Sequence, residues 1–388
     1  MRPSTVYMDH SATTRVHEDV IESMLPYFRE HYGNPNSLYF LGQKAHQAIE
    51  SARRGVASIL NCIPREVVFT SCGTESDNLA IRGVAMARQE QGRHFITTPI
   101  EHKAVLYTMQ QLERELGFEV TILPVDEYGM VDVEQVKRAL RPDTILVSIM
   151  YANNEVGTIQ PIAEIGALLR DHAALFHVDA VQAGGYLPLD VQALGVDLMA
   201  LSGHKFHAPK GVGMMYMRSG SDYVNTLTGG GQERSRRAGT HNVPYIVGFA
   251  KALEIAHTAR TEKNARLTAM RNQLISDIQK ALPSAKLTGH PTQRLPGHAS
   301  FTMGAGLEAD AMLLTLDIEG IAASSGSACS SGRNAPSHVL TAMGIPDPEA
   351  LSALRLSLGD DNTMQDVNYV VDRLPNVIKR LQAFAMLS

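Results

Sequence analysis

"EVVFTSCGTESDNLAIRGVAMARQE" (66–90) decides the fold. It opens with a short apolar run, "EVVFT" (66–70), of the length and β-branched character of a buried strand. Small residues follow in "SCGT" (71–74). Then "ESDNLAIRGVAMARQE" (75–90) carries its apolar side chains at helical spacing. A strand, a tight turn and a helix in direct succession are the opening of a parallel strand–helix–strand unit.

The same rhythm continues outward. Further short apolar runs are "HFITTP" (94–99), "FEVTILPV" (118–125), "TILVSIM" (144–150), "LFHVDA" (175–180), "DLMALSG" (197–203) and "GVGMMYM" (211–217), with helical segments such as "IAEIGALLRDHA" (162–173) between them. Seven strands alternating with helices predict an α/β fold with a mostly parallel sheet flanked by helices. The long helical stretch 247–282 breaks the rhythm. After it come "HASFTM" (298–303), "EADAMLLTLDIEG" (308–320), "ALRLSLG" (353–359) and a last helix over 363–385, which predict a smaller α+β C-terminal domain. The expected division is a large domain over 14–258 and a small one made of 1–13 and 259–388. "VYMDHSATT" (6–14) lies outside the alternation and is expected to pack on the small domain.

Bulk properties narrow the function. With 388 residues and a formal net charge of -5, neither a nucleic-acid backbone nor a membrane surface is the expected partner. No apolar run is long enough to span a bilayer, and the N-terminal residues lack a signal-peptide pattern. Cys62, Cys72 and Cys329 are too few and too scattered for a disulfide framework or a zinc site, so a reducing cytoplasm is expected. The histidines show no metal spacing either, and no metal is expected.

Ligands of open parallel sheets bind outside the carboxyl ends of the strands. After the first run stand Gly73 and Thr74, with Thr74 expected as the cap of the next helix, an arrangement suited to phosphate. Later runs are followed by His102, by Asn153 and Asn154, by Asp179 and Gln182, and by Ser202, His204, Lys205 and His207. Each alone reads as a loop or turn residue; together they bring five polar sets to one edge. A phosphate would take Gly73, Thr74, Ser202 and His204. An aromatic ring would stack on His102, and a cationic ring nitrogen would face Asp179. A phenolate would meet Asn154 and Gln182, and a carbonyl would meet the Lys205 amine. These demands converge on pyridoxal 5′-phosphate (PLP). No G-x-G-x-x-G follows an early strand, which disfavours a dinucleotide.

"SGHKFHAPKG", "FHVDAVQ", "NNEVGTIQ", "TSCGTESDN", "TPIEHKAV", "YGNPNS" and "SSGSACSS" together resemble the cysteine desulfurases of the NifS/IscS type, PLP enzymes of the class-V aminotransferase group and of fold type I. The resemblance runs from about Tyr7 to beyond Gly359. It implies that Lys205 holds PLP as a Schiff base, His102 stacks on the ring and handles a proton, Asp179 pairs with the ring nitrogen, and Gln182 faces the phenolate oxygen. Asn154, rather than Asn153, matches the cofactor and substrate asparagine. Gly73, Thr74, Ser202 and His204 match phosphate ligands, and Thr240 matches one that reaches the phosphate from a second subunit, which implies a homodimer. Arg355 matches the clamp for the substrate carboxylate, a task suited to its planar fork.

The resemblance also explains "SSGSACSSG" (324–332). The cysteine matching Cys329 takes the sulfur of L-cysteine as a persulfide and carries it to a protein acceptor, such as an iron–sulfur scaffold or a relay protein. Small residues give such an arm mobility and room. Cys62 is expected to pack as a small apolar residue, and Cys72 to fit the phosphate loop. Thr228, Ser235, Ala238 and Ala208 depart from the family pattern, where histidine, glycine, serine and glycine are usual. The chain stops soon after its last helix, so docking of a scaffold through a longer C-terminal tail is not expected. Two other readings compete. An aminotransferase of class V would not need Cys329 on a small-residue loop, and the "SSGSAC" form resembles the long-loop desulfurases more than the short-loop subgroup typical of selenocysteine-lyase-like enzymes. A non-catalytic sulfur-transfer subunit would not need Lys205.

Overall fold

The computed structural model describes residues 5–325 and 335–385. Fourteen strands appear among them. Val6–Tyr7 is β1. The next seven are β2 (Val67–Thr70), β3 (His94–Thr97), β4 (Glu119–Ile122), β5 (Thr144–Ser148), β6 (Leu175–Asp179), β7 (Leu198–Ser202) and β8 (Gly213–Met217). The rest are β9 (Gly231–Gln232), β10 (Arg237–Ala238), β11 (Lys286–Leu287), β12 (His298–Thr302), β13 (Ile321–Ala322) and β14 (Ala353–Ser357).

β2 to β8 are the seven apolar runs, and they form one sheet in the order β2-β8-β7-β6-β5-β3-β4. Only β8 runs antiparallel to its neighbours. Helices cover both faces, so most of these strands are buried along their whole length, which is why they read as unbroken apolar runs. β4, at the edge, is the exception and is part-exposed. From β3 the chain first steps outward to β4 and then returns to place β5 on the other side of β3. That reversal opens a crevice at the strands' carboxyl ends.

The helix Val243–Ala281 joins two cores. Its first half sends Ile246, Phe249 and Leu253 into the core of the large sheet. Its second half sends Leu267, Leu274 and Ile278 into a core shared with β12, β14 and the last helix, Met364–Ala385. That second core holds the antiparallel sheet β11-β12-β14. The N-terminal segment joins it: β1 pairs in parallel with β13, and Met8 is fully buried there. Residues 9–14 then cross to the crevice. None of the helices is long and apolar enough to cross a membrane among the described residues.

Candidate active site

A cavity of about 270 Å³ opens at the carboxyl edge of the large sheet. Gly73, Thr74, His102, Asn154, Asp179, Gln182, Ser202, His204, Lys205 and Arg355 all line it. Ser11, Ala12, Cys72, Asp77, Glu155 and His338 line it as well.

Gly73 begins the helix Gly73–Arg88, whose N-cap is Cys72. This corrects the expectation for Thr74, which lies inside the first turn and does not cap it. The loop dives close to the sheet, so the helix starts earlier than its hydroxyl suggests. A Cβ on Gly73 would come within 2.6 Å of Val181 Cγ2, so the close approach requires glycine. Cys72 offers no side-chain cap, which leaves the first N–H groups of the helix for an anion. Ser202 ends β7, and His204 follows it with Nδ1 3.1 Å from Thr13 Oγ1.

Lys205 closes a short 3-10 turn directly after β7. Its Nζ donates to the carbonyls of Ser11 at 2.7 Å and Ala12 at 2.8 Å. Gln182 Nε2 donates to the same Ser11 carbonyl at 3.0 Å. The N-terminal segment thus seats two of the predicted groups. Asp179, the last residue of β6, accepts the Val181 N–H through Oδ1 at 2.9 Å. Burial pushes its carboxyl above the ordinary value; His102, that N–H and Lys205 oppose the shift. His102 caps the helix Lys103–Leu116, with Nδ1 accepting the Ala104 N–H at 3.1 Å. Burial lowers its pKa against the pull of Asp179, which keeps the imidazole neutral and its proton on Nε2.

The two asparagines part company. Asn153 is fully buried and spends its side chain on backbone: Nδ2 donates to Ile100 O, and Oδ1 accepts the Glu155 and Val156 N–H groups. Asn154 faces the cavity. Its carbonyl accepts Arg355 Nη1 at 2.7 Å, while Arg355 Nη2 donates to Asp9 Oδ1 at 2.7 Å. Asp9 therefore aims a guanidinium that is only 2 % exposed.

One predicted residue among those described does not line the cavity: Thr240, which is exposed on the loop that follows β10. Cys329 falls outside the described residues. Ala208, Thr228, Ser235 and Ala238 do not line the cavity either. Cys62 packs against the large core, where burial and then Glu66 push its thiol up to about 12. Sequence reading missed Asp9, Ser11, Ala12 and His338. They bind through contacts between distant parts of the chain, for which no local pattern exists.

These residues fit PLP on observations of the cavity itself. One end offers a glycine cradle, free helix N–H groups and a hydroxyl. The other offers a buried carboxylate with one oxygen uncommitted to the Val181 bond, and an amine stands between them.

Residues 6–370 match the class-V aminotransferase family. The chain is similar to a cysteine desulfurase IscS of Methanosarcina thermophila, 50% identical over 99% of this chain and 94% of that one. Among solved structures it is similar to a NifS-like protein, with a TM-score of 0.91 and 40% identity over 97% of this chain and 100% of the other. A further similar structure is SspA in complex with cysteine, with a TM-score of 0.80 and 37% identity over 91% of this chain and 98% of that one.

Proposed function

The chain belongs to the class-V aminotransferase family, among its NifS/IscS-type cysteine desulfurases, and from that membership we infer that it takes the sulfur of L-cysteine, leaving L-alanine and a persulfide on Cys329. The family depends on PLP. When bound, PLP supplies an electron sink for charge developing at the substrate Cα. The observation that carries the reading is the convergence of Lys205, Asp179, His102 and the Gly73 loop on one cavity.

Lys205 Nζ would hold the cofactor and, once released, would move the Cα proton. Asp179 would hold a negative charge toward the ring nitrogen, His102 would serve the ring, and Gln182 and Asn154 would serve its oxygen. Gly73, Thr74, Ser202 and His204 would hold the phosphate. Arg355, aimed by Asp9 and the Asn154 carbonyl, would bind the substrate carboxylate. The Cys329 thiolate attacks that sulfur: an S–S bond forms, the substrate C–S bond breaks, and its carbon keeps the electron pair and gains a proton. His102 Nε2 would pass a proton to or from sulfur. An ordinary thiol is only a few per cent ionised at neutral pH, so the attack needs such a partner.

Cys329 then hands its sulfur to a protein acceptor, an iron–sulfur scaffold or a relay protein. The cytoplasm is the compartment that suits its free thiols. A large domain over 14–258 and a small one of 1–13 and 259–388 are supported by the distinct clusters that the two halves of the long helix enter.

The working unit is a homodimer. Thr240 is exposed and does not line its own cavity, as a residue that serves the partner's phosphate should be. Phe28, Tyr32, Leu38, Tyr39 and Phe40 are also exposed within one short segment, more apolar surface than a free face carries without a partner. Light scattering should give twice the chain mass, and Thr240→Val should weaken PLP binding about 10-fold, the loss of one hydrogen bond to a charged group. A monomer that binds PLP fully would remove this part of the reading.

The decisive experiment is a single turnover with L-cysteine and no reductant, followed by mass analysis of the peptide carrying Cys329. One added sulfur with alanine formed is expected. Alanine without that modification would indicate a lyase that releases sulfur directly. Neither product would return the protein to the aminotransferase or non-catalytic readings.

A further inference from the structure

Three buried carboxyl groups gather at the cavity: Asp77 and Asp179 in its lining, and Glu101 near both. Side-chain ligand atoms of Asp77, Asp179 and His102 lie within 4.8 Å of one another. Asp77 is 1 % exposed, and its Oδ1 has no hydrogen-bond partner among the described residues. It lies 3.5 Å from Nε2 of His177, which is fully buried and likewise has no hydrogen-bond partner at that nitrogen. On its other side the His177 ring is engaged, with Nδ1 2.8 Å from Ser148 Oγ. Two orphaned polar atoms facing each other in a dry interior mark a place where a proton belongs.

We propose that Asp77 is a neutral carboxylic acid at working pH, its proton directed at His177 Nε2, and that this neutrality confines the negative charge of the cavity floor to Asp179. The proposal rests on the reading that Asp179 faces the ring nitrogen of PLP. Geometry selects which acid keeps its proton. Asp179 accepts the Val181 N–H and has His102 and Lys205 nearby. Glu101 accepts Met150 N–H at 2.9 Å and Thr98 Oγ1 at 2.7 Å through Oε1 alone, and its Oε2 has no partner among the described residues.

Asp77 faces Asp179, Glu101 and Cys72 as well as His177. Burial, then Asp179 and Glu101, raise its carboxyl well above the ordinary value, and burial lowers His177 to about 3. Close carboxylates in a dry site do not all ionise. The consistent arrangement is Asp77 Oδ1–H to His177 Nε2, and His177 Nδ1–H to Ser148 Oγ. Asp77 acts through Asp179, so it is a positioning residue: a second charge beside Asp179 would spread the field that a ring nitrogen must meet.

The test is infrared spectroscopy of the full chain at neutral pH, with and without PLP, in the carbonyl region of protonated carboxyl groups. A D2O-sensitive band that is lost in Asp77→Asn is expected, and Glu101→Gln should remove a different one. A spectrum that Asp77→Asn leaves unchanged would overturn the proposal. Should that variant not fold, nitrogen-15 shifts of His177 in the unsubstituted protein decide instead. A neutral ring with Nδ1–H supports the proposal; an imidazolium, or a neutral ring with Nε2–H, overturns it. Both readouts work on the cofactor-free chain, so their failure is distinguishable from failure of Asp179 to meet the ring nitrogen.

Discussion

Replacing Lys205 by alanine is expected to lower turnover of L-cysteine at least about 1,000-fold, the scale of losing a positioned acid–base group. The physical ground is placement. Lys205 follows β7, a strand buried along its whole length, and two carbonyls of the N-terminal segment hold its Nζ at the cavity wall. In the proposed reading that amine would serve twice, as the covalent anchor and as the carrier of the Cα proton, so its loss would remove both functions. Steady-state kinetics check the rate, and dialysis of the variant checks the anchor: bound PLP should leave it. Lys103 is the other amine on the cavity wall. Retained turnover in Lys205→Ala would transfer the role there and overturn the assignment.

The second large effect lies in the loop that precedes Thr240. Glu233, Arg234 and Ser235 adopt φ of 47°, 55° and 65° in succession, a left-handed run that side chains disfavour. Ser235 stands where the family usually has glycine, the residue that adopts this conformation without cost. A buried ion pair holds the run in place. Arg53 donates to both Glu233 oxygens, at 2.5 and 2.9 Å, with side-chain exposures of only 3% and 1%. His241 adds a third bond at 2.6 Å.

Glu233→Ala leaves the Arg53 guanidinium buried without its carboxylate, and a destabilisation of about 3–5 kcal/mol is expected from denaturant midpoints. The pH dependence follows from the same group. Burial alone would raise its carboxyl, but the His241 and Arg53 bonds hold it down at about 2, against an ordinary value of 4.5. A depressed acid stabilises the fold above its unfolded value, and that contribution is lost as pH falls from 4.5 toward 2. Acid unfolding of the native chain should steepen in that window, and Glu233→Gln should flatten it. A stability within roughly 0.5 kcal/mol of the unsubstituted protein, the spread of ordinary surface changes, would mean that the pair does not hold the loop.

The sheet was legible in the sequence because it is buried on both faces. Such strands read as unbroken apolar runs, and the helices between them repeat at their own period. The polar residues at the strand ends were legible for the same reason, since the parallel topology brings all those ends to one edge. His102, Asp179, Ser202 and Lys205 follow from chain position alone.

What the sequence could not supply was the far side of the cavity. Asp9, Ser11 and Ala12 belong to a segment that crosses from the small core. Arg355, named by the family resemblance, reaches the site from β14, and β12, the Ser324 backbone, Asp9 and the Asn154 carbonyl bring it into place. The start of the Gly73 helix at Cys72 was decided by packing against Val181, not by the hydroxyl of Thr74.

Local pattern records what each residue needs from its own neighbours in the chain. It determined the α/β class, the strand order's common edge and the side chains that PLP would meet there. Tertiary structure decided which carbonyls hold Lys205, which acid aims Arg355, and that Asp77 faces His177 in a dry interior. Those contacts join residues far apart in the chain, and their energies come from burial, which no local window can measure.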